Sequence, residues 1–225
     1  MATPIYDEND SAQGALIDRV EYRSDQVTAA GQTIGLNRQS VYDEMVEAAR
    51  GILRKAPMAL TLEASSDGTS ADTSVTNAYT LVECPDDYIR FLSLKLSGWK
   101  RPVYELTDPR TNLYRLQFNT RAASDSYNPV AVITPNSAPS GMNSGKQAIQ
   151  AFPKDDPPTV EQFEYIGTTA PEVIPDELVD AMLWETTGRA LQAQKGEGAG
   201  AAYELAQQSI NNLRVGLRNE EIQSE

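Results

Sequence analysis

The chain predicts an α+β fold: a helical bundle of one N-terminal and two C-terminal helices, a β-rich insertion, and an extended N-terminal arm. Three observations predict it. Apolar residues recur at helical spacing after residue 40 and again after residue 175, but not between. The intervening stretch carries β-branched and aromatic runs bounded by Gly, Pro, Asn and Ser. The opening segment is polar and keeps no sustained period. The expected boundaries are 1–38 for the arm, 39–57 and 173–218 for the bundle, 58–172 for the insertion, and 219–225 for a C-terminal tail.

Taken in order, Ala15–Val20 supports one or two helical turns within the arm. The arm has too little apolar content to fold alone and is expected to lean on a neighbouring subunit. Ser40 to Lys55 is the first full helix. Ser40 is the expected N-cap, with Asp43 and Glu44 placed where the helix dipole favours acids. Val41, Met45, Ala48, Ala49 and Ile52 share one face, and Pro57 ends the pattern.

Met58–Leu62 and Asn77–Val82 read as strands flanking a long hairpin or loop, Ala64–Thr76. Cys84–Asp87 is a turn. Ile89–Ser97 is the strongest strand, and Val103–Leu106 resumes it past Gly98–Pro102. Thr111–Phe118 suggests a short helix, and Thr134–Lys146 a loop. Pro175 suits the start of a helix. That helix shows two faces, one with Val179, Met182, Leu183, Thr186 and Ala190, the other with Trp184, Gly188 and Leu191, so contacts on two sides are expected. Gly196–Gly200 reads as a helix stop and hinge. The last helix carries one stripe: Ala199, Ala202, Tyr203, Ala206, Ile210, Leu213 and Leu217. The Ser40 helix is expected to pack against this C-terminal pair, because three apolar stripes must be buried somewhere.

The 225 residues carry 32 acids against 19 bases, a formal charge of −13. That disfavours tight nucleic-acid binding. It suits solubility first, and also a channel wall past which DNA slides. There is no histidine, the commonest general base and metal ligand. The single cysteine, Cys84, permits no intrachain disulfide and has no histidine to activate it. Asp86–Asp87 and Asp155–Asp156 are acidic pairs beside prolines, where turn chemistry outweighs cation binding. Gly196–Gly200 lacks the Lys-Ser/Thr of a phosphate loop. Lys95, Lys100, Arg101, Arg110, Arg115 and Arg121 make the middle of the chain locally basic and are expected to pair with acidic neighbours. The expectation is therefore no enzymatic activity, no catalytic residue, no cofactor and no metal site. No apolar run is long enough to span a bilayer, and the N-terminus lacks the basic flank and apolar segment of a signal peptide, so no membrane partner is expected.

Three stretches carry a family resemblance. They are Tyr79–Leu92, with its apolar strand, Pro-Asp and second strand; Asn128–Ala131 with Gln147–Tyr165; and Ile174–Leu213. Together they cover about two thirds of the chain. Their order resembles the head–tail adaptor (connector) proteins of tailed bacteriophages, in which a helical bundle carries a β-rich insertion. The long N-terminal segment and the Ala64–Thr76 loop depart from small adaptors and resemble a larger ring protein of short-tailed phage necks. The resemblance implies a structural virion protein made in the host cytoplasm, a dodecameric ring, a portal above, and a tail or further ring below. Genomic DNA would pass through the lumen without specific binding. It also implies that the C-terminal segment meets the portal, through Leu217, Arg218, Glu220, Glu221 and Ile222. The alternative is a phage tail or surface β-module that binds receptor or glycan through Trp99, Tyr104 and Tyr114. A hydrolase working through carboxylates and a metal has no positive support.

Overall fold

The computed structural model describes residues 5–28, 37–61, 63–66, 73–76, 78–119, 121–135, 147–194 and 196–223. The chain forms two units. Met1–Leu62 and Thr168–Glu225 make a helical unit from both chain ends, and Glu63–Gly167 makes a β unit inserted between them. The α+β class and the order of its parts are as expected.

The helical unit begins with α1 (Ser11–Val27). Asp10 caps it, its carboxylate accepting from the Ala12 and Gln13 amides at 2.8 and 3.3 Å. Gln13, Ile17, Val20 and Ser24 are buried along one face that packs on the C-terminal helices. This corrects the extended arm. Only two of those four buried residues are large and apolar, so the stripe is faint in sequence. Gln13 is retained because its Oε1 accepts from the Asp7 amide at 2.8 Å, tying the preceding turn to the helix.

The second helix, α2 (Arg38–Lys55), starts earlier than expected, with Asn37 rather than Ser40 as its cap. The Asn37 side chain accepts from the Ser40 amide at 2.8 Å, so Ser40 supplies a donor in the first turn. Val41, Tyr42, Met45, Ala48, Ala49 and Ile52 are all fully buried. Met58–Leu60 then forms a single 3₁₀ turn, not a strand, closed by Leu60 N donating to Pro57 O at 3.1 Å.

In the other half of the unit, α4 (Asp176–Ala193) lies between α1, α2 and α5 (Ala199–Gln223) and touches all three. Asp176 and Glu177 occupy its first turn, where the dipole favours acids. Leu178, Met182 and Leu183 have no exposed surface, and each contributes about 1.5–3 kcal/mol by burial. Thr186 and Thr187 are also fully buried. Their hydroxyls donate to Met182 O and Leu183 O at 2.8 Å, which removes the cost of burying them. On α5, Ala202, Ala206 and Ile210 are buried against α4, as the stripe predicts. The expected packing of α2 on the C-terminal pair is therefore present. It runs mainly through α4, with Arg214 of α5 donating to Lys55 O at 2.6 Å.

A polar clamp joins three of these helices. Asp180 accepts from Arg23 of α1 and from Ser209 of α5, the latter at 2.7 Å, while the Arg23 guanidinium lies 5.2 Å from the Trp184 ring centroid. Burial alone would raise the Asp180 pKa. The hydrogen bonds from Ser209 and Arg23 and the charges of Arg23 and Arg19 outweigh it and hold the carboxyl below its usual 3.8. A depressed carboxylate stabilises the fold above its unfolded pKa, and that contribution is lost as pH falls through the folded value. Asp180→Asn is therefore expected to lose about 0.5–1 kcal/mol at neutral pH, the carboxylate being half exposed. Urea melts should show the gap to wild type closing below about pH 4. A gap that persisted at pH 2 would assign the loss to packing instead.

In the β unit, seven antiparallel strands among the described residues form two sheets. The first has order β1 (Glu63–Ser66), β7 (Val160–Gly167), β4 (Tyr88–Leu96). The second has order β2 (Thr73–Val75), β3 (Thr80–Glu83), β6 (Gln147–Phe152), β5 (Val130–Pro135). Leu94, Leu96, Val160 and Phe163 from the first sheet pack with Val82, Ala131, Ile149 and Ala151 from the second into one core. Of the hairpin or loop expected across 64–76, the hairpin is corrected: β1 pairs with β7 and β2 with β3, so its two arms enter different sheets. Residues 67–72 of that segment lie outside the described residues, as do residues 136–146 of the expected 134–146 loop. Val103 returns to the sheet as a single bridge to Leu94 rather than a resumed strand.

Candidate functional site

Between β4 and β5 the chain makes a long excursion, residues 97–129, with a short helix, α3 (Asn112–Leu116), capped by Thr111, inside the 111–118 span where a short helix was expected. The excursion is anchored along its length. Lys100 N donates to Ser126 O at 2.7 Å, and Thr107 N to Ala131 O at 2.8 Å. Ser124 N donates to Gln117 Oε1 at 2.9 Å, and the Tyr114 hydroxyl to Gln150 Oε1 at 3.0 Å. Tyr114 and Phe118 both set their rings edge-on against Phe152, at 6.2 and 5.7 Å. Tyr114 joins Tyr79 around the buried Val130, Val132 and Phe152. This small cluster holds α3 in place.

What the excursion leaves outside is unusual. Tyr104 is 70% exposed, Tyr127 59%, Phe118 53%, Leu113 47% and Leu116 41%. Five large apolar side chains exposed within one segment make it a candidate interaction surface. Lys100, Arg101, Arg110, Arg115 and Arg121 share the segment and are all exposed. The expectation that the basic residues pair with acids is met by Lys95, 2.5 Å from Glu161 on the neighbouring strand. It is corrected for those five, which have no carboxylate partner among the described residues. The excursion spreads them over turns that carry few acids.

The aromatic trio behind the receptor-binding alternative separates. Trp99 is 2% exposed and belongs to the β core, its indole Nε1 donating to Pro153 O at 3.0 Å. Tyr114 is half-buried against Phe152, and only Tyr104 faces outward.

The other candidates settle into structural roles. Cys84 is buried, and burial followed by the charge of Glu83 pushes its pKa up to about 12, so the thiolate is suppressed. Asp87 accepts from the Tyr165 hydroxyl at 3.0 Å. Asp155 accepts from the Ser97 hydroxyl at 2.6 Å and the Gly98 amide at 3.3 Å. The local turn bonds expected of them are thus corrected: Asp87 reaches strand β7 and Asp155 reaches the distant Ser97–Gly98 turn. Among the described residues no three His, Cys, Asp or Glu side chains gather as a cation site would need. Between α2 and α4, Arg189 stands 3.4 Å from Glu185 and 4.0 Å from Glu44 beside an open cavity of about 390 Å³. With Lys55 3.9 Å from Glu185, these groups neutralise a carboxylate that is only 8% exposed.

The expected partner residues Leu217, Arg218, Glu220, Glu221 and Ile222 lie on the last turns of α5, which runs on to Gln223. Residues 219–223 are thus helix rather than a separate tail. The side chains beyond Gly216 lie outside the described residues. From Arg214 to Gly216 every residue is exposed. The ten residues from Arg214 to Gln223 extend it about 15 Å further. Among the described residues no helix is long and apolar enough to cross a membrane. In comparisons with known proteins, the chain matches no family model and no curated sequence.

Proposed function

We propose that this chain is a structural virion protein, a head–tail adaptor that forms a dodecameric ring between a portal and the next tail or ring component, with DNA passing through the lumen. The observation that carries the reading is the architecture. A helical unit assembled from both chain ends carries an inserted β unit, which is the arrangement implied by the resemblance of Tyr79–Leu92, Gln147–Tyr165 and Ile174–Leu213. Charge supports it. The segments 1–62 and 168–225 hold 19 acids and 10 bases, a formal −9 for the helical unit. Repeated around a ring, such a surface repels a passing polyanion. The reading assigns no catalysis, cofactor or metal to the chain. Its localisation is the virion neck.

Within this reading the end of α5 is the portal contact. Glu220, Glu221 and Glu225 would meet basic groups there, and Ile222 would supply a small apolar anchor. Deleting residues 218–225 is expected to leave the melting curve within about 0.5 kcal/mol of wild type while abolishing attachment to portal-bearing heads. Normal attachment by the truncated chain would remove α5 from the docking role.

A further inference from the structure

We infer that the α3 excursion of one copy docks onto the exposed face of α1 of the next copy. This deepens the ring reading and rests on it, by naming the two faces that join neighbouring subunits. Two independent features meet in the excursion. It holds five of the ten large hydrophobic residues exposed among the described residues, and five exposed cations without a carboxylate partner there. In a chain of net −13, unpaired cations around an apolar patch call for an acidic, partly apolar occupant. DNA would answer the charge, but Leu113 and Leu116 offer it nothing, and the rest of the chain repels it.

The chain carries such an occupant itself. On α1 the exposed flank beside Ile17 presents Asp18, Glu21, Tyr22 and Asp25, at positions i, i+3, i+4 and i+7 of one stripe. All four are exposed, Tyr22 at 67%. Asp18 is paired with Arg38. The carboxylates of Glu21 and Asp25 have no cation partner among the described residues. The stripe thus offers two unpaired anions around an exposed ring, and the excursion offers Arg110, Arg115 and Arg121 around Leu113, Leu116 and Phe118. Each face lacks what the other supplies. Because the two faces differ, the contact is head-to-tail, and repeating it yields a ring or a filament rather than a closed two-fold dimer.

Engineered cysteines test the pairing cleanly, since the one native thiol is buried. Tyr22→Cys and Leu116→Cys proteins are purified separately, mixed and oxidised. The expected product is a disulfide-linked pair of 24.6 kDa chains, formed about tenfold faster than from Tyr22→Cys mixed with Val215→Cys. Adding Arg110→Glu and Arg115→Glu to the Leu116→Cys protein should remove the advantage, as should molar salt. Equal rates for the two mixtures would overturn the inference. So would retention of the wild-type chain on a DNA column that depends on the same arginines, which would assign the face to nucleic acid. Sedimentation separates the two levels: wild-type self-association without the selective cross-link would leave the ring and remove these faces. Absence of self-association both alone and with portal rings would remove the ring itself.

Discussion

Phe163→Ala is expected to cost about 3–5 kcal/mol and to be the most damaging single truncation in the β unit. Phe163 lies on β7, the central strand of its sheet, and has no exposed surface. Its ring stands 5.4 Å from Tyr165 and 6.3 Å from both Tyr88 and Phe91, so truncation removes the centre of a ring cluster as well as buried area. The surrounding strands are held in register on both sides, by β1 and by β4, which prevents collapse into the cavity. Urea denaturation measures the loss. Leu113→Ala, on the exposed face of α3, is the control and should stay within about 0.5 kcal/mol of wild type. Equal small losses at the two positions would mean that the two sheets do not share the core described.

Gly198→Ala is expected to lose about 2–4 kcal/mol, through backbone alone. Gly198 stands between α4 and α5 with φ of +91°, a conformation that costs an L-residue about 1–2 kcal/mol. A Cβ there would lie 2.4 Å from the carbonyl oxygen of Val27 and 3.0 Å from its carbon. The obstacle is main chain at the end of α1, so it cannot rotate away. Relief requires α1 and the α4–α5 turn to separate. For a chain of this size the melting temperature should fall by about 5–12 °C. Gly200→Ala makes a demanding comparison: its Cβ meets nothing within 4 Å, and alanine should stabilise the helix by up to about 1 kcal/mol. Indistinguishable melts for the two variants would show that the turn is not locked as described.

These positions also mark what could be read from sequence. The helix stop at Gly196–Gly198, the stripes of α2 and α5 and the contact of α4 on several sides were legible, because each rests on strong local spacing or a glycine stop. The 17-residue α1 was not. Half of its buried positions are Gln13 and Ser24, and a polar residue in a core stripe looks like solvent exposure until its hydrogen bonds are known. The register of β1 and β2 was lost for another reason: strand partners are chosen by long-range packing, which two short polar segments do not advertise. Trp99 sits where a turn residue would be exposed, yet the Pro153 carbonyl receives its indole N–H and lets the ring go inside. The candidate surface was half legible. Its cations were visible in sequence, but their lack of partners depends on where Glu161 and the other acids fall in space.

The ring is the central claim, and counting copies tests it most directly. Native mass spectrometry of the chain, mixed with the purified portal ring that the proposed function calls for, reads both attachment and number. The account predicts a complex carrying a closed dodecamer of this chain on each portal ring. It also predicts that the same portal binds none of the 218–225 deletion. A single copy per portal, or no binding by the full chain at any concentration tested, would contradict it.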